Sequence, residues 1–171
     1  MQTTGYTYLN LNDVPMVDKA GYNDCSVHAL NNYYKEVNDY MKQVTAAILI
    51  EKGRVLIARR PYKDLLPYKW EFPGGKIEDG ETPEECLKRE LMEEFEIEVK
   101  VGSFFANSIY NYEHGTIELL AYFVHREAGM LTPNSHDAVK WALPNELHEY
   151  DFAPADIPIV EKLIGRLEDE L

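Results

Sequence analysis

The sequence predicts an α/β domain in which a mixed β-sheet lies between helices. Runs of alternating or β-branched residues stand on both sides of one strongly patterned helix, and a second amphipathic helix comes at the end. At 171 residues, with 45% hydrophobic content, the chain can bury a core on both faces of such a sheet. We therefore expect one domain, with an extension at its N-terminus.

The first 41 residues are expected to form this extension and to hold a short amphipathic helix. The apolar residues Val27, Leu30, Tyr34, Val37 and Met41 recur at heptad-like spacing. Such a helix would pack on the domain or on a second subunit, which leaves a homodimer open. The alternative is that tyrosines of this stretch contribute to a ligand pocket.

The domain is predicted to open with a β-hairpin. Residues 44–50 are β-rich, 51–53 form a turn and 54–60 form a second strand. Arg59 and Arg60 end this strand, so we expect one of them to reach a substrate phosphate as a charge-assisted donor. The alternative is that both are surface arginines.

A loop and a helix follow in the stretch WEFPGGKIEDGETPEECLKRELMEEFEI, residues 70–97. Gly74 and Gly75 interrupt regular structure. Thr82 suits an N-cap, and Glu85 three residues later completes a capping box. The pattern therefore predicts a helix that begins just after Thr82.

Three glutamates share one face of this helix, and the charge of Glu94 is expected to face the surface. Glu90, Glu93 and Glu94 span an arc of about 100°. Charges this close repel one another unless a cation neutralises them, and Mg²⁺ or Mn²⁺ suits carboxylate oxygens. A solvated acidic face is the alternative, but the adjacent glycines favour the ion because they let backbone approach a ligand. Arg89 lies beside the cluster, with Glu81 as its expected ion-pair partner.

The remaining elements follow from the same periodicities. The motif helix should bury a stripe made of Leu87, Leu91 and Phe95. Beyond it we predict a long or bulged strand at 98–112, strands at 116–126 and 139–143, a brief helical turn, and a final helix after Pro154.

Composition narrows the function. The net charge is −13, from 30 acidic and 17 basic residues, which argues against DNA or RNA as the main partner. A small phosphate ester is compatible with this charge if a cation bridges it to the acids. No apolar run approaches the roughly 18 residues of a membrane span, and the N-terminus lacks the regions of a signal peptide. With two cysteines and no disulfide framework, we expect a cytoplasmic protein.

The stretch 70–97 resembles the Nudix box, Gly-x5-Glu-x7-Arg-Glu-(aliphatic)-x-Glu-Glu-x-Gly-(aliphatic). Every element matches except the last Gly, where this chain has Glu96. A non-glycine residue in that left-handed turn costs on the order of 1 kcal/mol. The resemblance implies the Nudix α/β/α sandwich for a domain at residues 42–171, and hydrolysis of a phosphoric anhydride.

The amino-acid sequence around the box is similar to that of the MutT-like branch, which hydrolyses nucleoside triphosphates to monophosphate and pyrophosphate. The resemblance implies that a metal polarises phosphoryl oxygens and activates or orients a water. Arg89 and Glu81 would then form a supporting ion pair. The implied metal ligands are Glu90, Glu93, Glu94 and the backbone carbonyl of Gly74.

The segment 152–160 also resembles this branch, particularly its cytidine-triphosphate pyrophosphohydrolases. The loop that carries a base-reading Asn or Asp in MutT-like proteins has Asp156 here. A carboxyl group can accept hydrogen bonds, or donate one when protonated, so Asp156 could read an exocyclic amine and a ring nitrogen. Its alternative role, compatible with the first, is to cap the last helix. Phe72 and Phe152 are candidates for base stacking, with core packing as the alternative.

At one position the sequence differs from the pattern of the MutT-like branch. Relatives commonly carry Glu-His six residues before the tryptophan at 141, and that Glu often binds metal or serves as the base. Here the pair is Ser135-His136, and a serine cannot take the proton. Asp137, Glu118 or one of the box acids is expected to substitute, and His136 is expected to be a hydrogen-bonding loop residue.

We therefore predict a Mg²⁺-dependent pyrophosphohydrolase of cytidine-type or oxidised (d)NTPs such as 8-oxo-dGTP. A second possibility is hydrolysis of another nucleoside diphosphate linkage, as in ADP-ribose or a dinucleotide. A third is a nucleotide-binding module with weakened catalysis, which Ser135 motivates and the intact set of three glutamates opposes.

Overall fold

The structure, a computed structural model, describes residues 41–113 and 115–169. The amphipathic helix predicted in the N-terminal extension lies outside the described residues except for Met41, which belongs to a strand instead of a helix. Among the described residues, no helix has the length and apolar character needed to cross a membrane.

The described residues form six strands, two α-helices and one 3₁₀-helix. Each strand predicted from the sequence is present, and only the ends differ by a few residues. In chain order the elements are β1 (Met41–Glu51), β2 (Arg54–Arg59), β3 (Trp70–Glu71), α1 (Pro83–Phe95), β4 (Glu98–Tyr112), β5 (Gly115–Ala128), β6 (Ala138–Ala142), the 3₁₀-helix (Pro144–Glu149) and α2 (Ile157–Asp169).

The strands form one mixed sheet. Its order is β3-β2-β1-β5-β4, and β6 pairs with β2. β1 runs parallel to β5, whereas β4 and β5 are antiparallel over almost their whole length, with the irregularities expected of a bulged strand. β1 and β2 pair only beside their turn, so β2, β3 and β6 diverge from the other three strands.

Helices cover both faces of the sheet, which confirms the predicted α/β/α sandwich. Successive residues of β1 point to opposite faces. Ala47 and Leu49 lie in the cluster on the α1 side, whereas Ala46 and Ile48 lie in the cluster on the α2 side. α1 supplies the predicted apolar stripe, because Leu87, Leu91 and Phe95 are fully buried. On α2 the buried residues are Ile159, Val160 and Leu163, all at most 5% exposed.

α1 begins and ends as its sequence indicates. Thr82 is the N-cap, and its reciprocal hydrogen bonds with Glu85 confirm the capping box. At the C-terminus Glu96 adopts the left-handed conformation, with φ 56° and ψ 35°. The loop before β6 also covers this end, because the Thr132 and Asn134 N–H groups donate to the carbonyls of the last turn at 2.9 and 2.8 Å. These contacts supply hydrogen-bond donors to the carbonyls at the end of the helix, although the C-cap residue is not glycine.

Candidate active site

A cavity of about 480 Å³ opens where the segment just before α2, the loop after β2, the β4–β5 hairpin and the loop before β6 meet. Volumes of this order suit a small organic ligand. The cavity wall brings together five of the residues singled out from the sequence: Arg60, Phe72, Gly74, Glu94 and Asp156. The other predicted site residues, Arg59, Glu81, Arg89, Glu90 and Glu93, lie outside the wall.

The glycine loop is held closely between β1 and α1. The Thr45 N–H donates to the Gly75 carbonyl at 2.8 Å, and the Ala47 N–H donates to the Pro73 carbonyl at 2.7 Å. A Cβ on Gly74 would overlap the Thr45 carbonyl, and Gly74 has a φ of 150°. A Cβ on Gly75 would overlap the Glu90 carboxylate. Two glycines are therefore needed for the loop to lie this close to both neighbours.

Arg89 joins this loop to α1. Its Nε and Nη2 donate to the two Glu81 carboxylate oxygens at 2.8 and 2.9 Å, which confirms the predicted ion pair. Nη1 donates to Glu90 at 2.7 Å, and Nη2 also donates to the Lys76 carbonyl at 3.1 Å. The hydrogen bonds from Arg89 lower the pKa of Glu81 to about 2. Arg89 therefore acts as a structural bridge that keeps Glu81 ionised.

The three glutamates of the acidic face are not equivalent. Side-chain exposure is 61% for Glu93, 16% for Glu90 and 17% for Glu94. The expectation that Glu94 would be surface-facing is wrong, because the loop before β6 covers it. Glu90 and Glu93 both contact Arg89. Within residues 41–113 and 115–169, no three Asp, Glu, His or Cys side chains already form a metal cluster, so joint ligation by these glutamates stays a prediction.

Glu94 nevertheless offers a position for a cation. Its Oε1 accepts a hydrogen bond from the Ser135 hydroxyl at 3.2 Å, whereas its Oε2 is buried and has no hydrogen-bond partner. Burial raises the pKa of Glu94 to about 7, and the neighbouring Glu71 and Glu90 charges add to that rise. A buried carboxylate oxygen without a partner is unfavourable, and a bound cation would remove that cost. The residues present therefore fit a hard divalent ion.

His136 is the hydrogen-bonding loop residue that the sequence indicated. Its Nδ1 lies 3.1 Å from the Ser135 hydroxyl and its Nε2 lies 3.0 Å from Glu71 Oε1. The ring stacks on Phe95, with 5.4 Å between centroids and 13° between planes. Burial alone would lower the His136 pKa, but the bond to Glu71 and the charge of Glu94 outweigh it, so the pKa is raised.

The two neighbouring arginines have different surroundings. Arg59 donates to both carboxylate oxygens of Asp137, at 2.8 and 3.2 Å, outside the cavity wall. Arg60 lies in the wall, where Nη1 donates to Glu71, Nη2 donates to Asp64 at 2.6 Å, and Nε is buried without a hydrogen-bond partner. Arg60 is thus the better placed of the two to meet a ligand.

The residues considered as a substitute base are also separated by the fold. Asp137 is held by Arg59, and Glu118 accepts hydrogen bonds from the Gln43 and Asn107 side-chain amides, each at 3.0 Å. Neither lies in the cavity wall. Among the acids considered as a substitute base, only the box residue Glu94 lies there.

Asp156 is a buried residue of the cavity wall, with 5% of its surface exposed. Its Oδ1 accepts a hydrogen bond from the Phe72 N–H at 3.0 Å. The contacts to the first turn of α2 come from the Asp156 backbone carbonyl, which accepts from Ile159 and Val160. Burial raises the pKa of the Asp156 carboxyl to about 8, and the charge of Glu71 adds to the rise. Phe72 belongs to both the core and the wall, where its ring packs 5.6 Å from that of Phe152.

A comparison with known protein families agrees with this arrangement. Residues 39–163 match the family model described as the NUDIX domain. The chain therefore belongs to the Nudix hydrolase family. Enzymes of this family use divalent metal ions, in keeping with the acids beside the glycine loop.

Two curated relatives and one solved structure are similar over most of their lengths. The CTP pyrophosphohydrolase of Escherichia coli K12 is 40% identical over 73% of this chain and 93% of its own. The 8-oxo-dGTP diphosphatase of the same strain is 36% identical over 72% and 98%. The solution structure of the E. coli ORF135 protein superimposes with a TM-score of 0.65 at 38% identity, covering 73% of this chain and 89% of that one. This Nudix hydrolase is thus MutT-like in sequence and fold.

Sequence reasoning missed two polar residues of this Nudix site. Thr45 is 1% exposed, and its hydroxyl contacts the Gly75 carbonyl at 3.2 Å and the Cys86 thiol at 3.3 Å. The sequence feature that could have identified Thr45 is its position as a polar residue inside the apolar run VTAAILI. Glu71 links Arg60 to His136, and its signal was an acid between two large aromatic residues.

Proposed function

We propose that this Nudix hydrolase is a Mg²⁺-dependent nucleoside triphosphate pyrophosphohydrolase that acts on cytidine-type or oxidised (d)NTPs and releases the monophosphate and pyrophosphate. One observation carries the proposal: the partnerless Oε2 of Glu94, the partnerless Nε of Arg60 and the buried carboxyl of Asp156 belong to one cavity wall. The names of the curated relatives support the same substrate class.

Each group has a distinct proposed role. Glu90, Glu93, Glu94 and the Gly74 carbonyl would hold the metal, with Mn²⁺ as the alternative to Mg²⁺. Such an ion, when bound, polarises phosphoryl oxygens and lowers the pKa of a coordinated water. Arg60 donates hydrogen bonds to a phosphate, and the Arg89–Glu81 pair keeps the glycine loop against α1.

Asp156 favours a cytosine-type base. With its pKa raised to about 8, the carboxyl group is mostly neutral at pH 7. A neutral carboxyl donates one hydrogen bond and accepts another, which matches the ring nitrogen and the exocyclic amine of cytosine. An ionised carboxylate only accepts, which matches the two adjacent donors of an 8-oxoguanine edge. The protonation state of Asp156 thus separates the two candidate substrates.

The proposed partners and surroundings follow from the chain as a whole. The net charge of −13 disfavours a nucleic acid polymer. The buried free thiol of Cys86 suits a reducing cytoplasm. Homodimer formation through residues 1–41 stays a prediction.

The test is hydrolysis with Mg²⁺ of the common dNTPs and NTPs, 8-oxo-dGTP, 5-methyl-dCTP and ADP-ribose, with pyrophosphate measured for the triphosphates and AMP measured for ADP-ribose. We expect strong release from a cytidine-type or oxidised triphosphate. Cleavage of ADP-ribose without triphosphate turnover would overturn the proposal in favour of another diphosphate linkage. Tight nucleotide binding without any turnover would make the chain a binding module in which Ser135 marks the lost base.

A further inference from the structure

A continuous chain of polar contacts joins the metal side of the cavity to its phosphate side. Glu94 Oε1 accepts from Ser135, whose hydroxyl lies 3.1 Å from His136 Nδ1. On the other side of the ring, Nε2 lies 3.0 Å from Glu71 Oε1, and Glu71 Oε2 accepts from Arg60 Nη1. His136 is the middle residue of this chain.

The ring of His136 is rigidly held. Its side chain is 4% exposed and stacks on Phe95, which is fully buried. The loop that carries it is attached to the end of α1, because the Asn134 N–H donates to the Glu94 carbonyl at 2.8 Å and the Asn134 amide donates to the Glu93 carbonyl at 3.1 Å. The ring therefore has a fixed orientation relative to the acidic face.

The two residues at the ends of this series of polar contacts, Glu94 and Arg60, each keep one atom without a hydrogen bond to another described residue. Glu94 uses Oε1 and leaves Oε2, and Arg60 uses Nη1 and Nη2 and leaves Nε. Both atoms are buried, so the bonds made by their neighbours restrict how each group can turn. The same contacts that hold these groups thus select which atom remains for a ligand.

We propose that His136 is a positioning residue with two arms: Nδ1 orients Glu94 through Ser135, and Nε2 orients Arg60 through Glu71. This inference rests on the proposed function, in which Glu94 meets the cation and Arg60 meets the phosphate. It predicts that the two arms can be disabled separately.

Three substitutions separate the arms. His136→Asn places a side-chain amide near the position of Nδ1, and His136→Gln places one near the position of Nε2. His136→Phe keeps the stacking on Phe95 and removes both nitrogens. As a matched control, His125→Phe changes an exposed histidine on β5 that lies outside the cavity wall.

Two binding measurements report the arms without relying on turnover. Mn²⁺ binding to the full-length protein without nucleotide, measured by calorimetry, reports Glu94. Binding of CMP or 8-oxo-dGMP in the presence of EDTA, with whichever monophosphate the parent binds more tightly, reports Arg60. Thermal unfolding and circular dichroism establish that each variant is folded.

We expect His136→Asn to keep the Mn²⁺ affinity and to weaken monophosphate binding about 10-fold, and His136→Gln to do the reverse. His136→Phe should weaken both by roughly 10- to 100-fold, the usual effect of removing a residue that orients a metal ligand. His125→Phe should match the parent.

The inference is overturned if folded His136→Phe binds both probes as the parent does, or if Asn and Gln variants lose both affinities equally. Failure of the proposed function gives a different result. A parent protein that binds Mn²⁺ but neither monophosphate would overturn the proposed substrate class, and the Mn²⁺ measurements on the variants would still test the Nδ1 arm.

Discussion

At the scale of the residue, carboxyl groups of one chemical type have very different states in this Nudix hydrolase. Two hydrogen bonds from Arg89 lower the pKa of Glu81 to about 2. Burial raises the pKa of Glu94 to about 7 and that of Asp156 to about 8. These pKa values differ because a cationic hydrogen-bond donor compensates the loss of water around Glu81, whereas, within the part of the chain that the structure describes, Glu94 and Asp156 accept no hydrogen bond from such a donor. The two acids without such a donor lie in the cavity wall, where a ligand can supply it.

Glu94→Gln tests the metal position at this scale. The substitution keeps the shape and removes the charge, so we expect Mg²⁺-dependent pyrophosphate release to fall roughly 100-fold or more. Folding at pH 8 should be unaffected or improved, because a neutral amide replaces a buried carboxylate. Turnover assays and thermal unfolding check both expectations, with Glu98→Gln on the exposed side of β4 as the control. A rate near that of the parent would disprove the assigned ligand.

At the scale of the element, the glycine loop and α1 act as one unit. Arg89 and the contacts of Gly75 with β1 hold the loop against the helix. The loop before β6 in turn closes the end of α1 and covers Glu94. The acids of α1 therefore obtain their surroundings from segments far apart in the chain.

Gly75→Ala tests this close packing. Gly75 lies outside the left-handed region of backbone conformation, so the added methyl group acts through its overlap with the Glu90 carboxylate. We expect Mn²⁺ affinity and turnover to fall by about 10- to 100-fold in a folded protein. The control is Gly165→Ala in α2, where the methyl group enters open space and should stabilise the helix by roughly 0.5–1 kcal/mol. An unchanged Mn²⁺ affinity in Gly75→Ala would contradict the assignment of Glu90 to the metal site.

At the scale of the whole molecule, a buried acid makes stability depend on pH. The pKa of Asp156 is about 8 in the folded protein and about 3.8 without the fold. Between these values the folded state binds more protons than the unfolded state, so the free energy of unfolding decreases as pH rises from about 4 to about 8. The free-energy cost of burying the Asp156 carboxyl opposes folding at neutral pH. The same burial keeps the carboxyl in the cavity wall, where a nucleobase can meet it.

Asp156→Asn should therefore change the pH profile of stability. The amide oxygen can still accept from the Phe72 N–H, but the side chain no longer ionises. We expect the variant to gain at least about 1 kcal/mol over the parent at pH 8, and nothing at pH 4. Urea unfolding at pH 4, 6 and 8 measures the difference, and parallel profiles for the two proteins would mean that Asp156 is not held neutral. Because the amide donates one hydrogen bond and accepts another at every pH, the same variant should keep the preference for cytidine-type over oxidised substrates even at pH 8.

Local signals were sufficient to predict most of the fold. The cap at Thr82, the apolar stripe of α1 and the β-rich run at 44–50 each depend on residues close in sequence, and the structure confirms each of them. The Arg89–Glu81 pair could also be predicted, since both residues belong to the box. These features depend on short-range geometry, which the chain specifies before any long-range contact forms.

Long-range contacts explain what could not be predicted. Arg59 ends β2 and Arg60 follows it in the loop, and only the assembled fold shows which of them meets the cavity. The side chain of Asp156 accepts from Phe72, a residue 84 positions away. No local pattern contains that pairing.

The sequence by itself determined the element order, the family and the acids of α1, because periodicity and motif spacing are properties of neighbouring residues. The tertiary structure decided which acid is buried without a partner, which arginine lies in the cavity wall, and that His136 connects them. Burial and hydrogen bonding are set by distant segments that come together only in the folded chain, and they control the charge and orientation of each group.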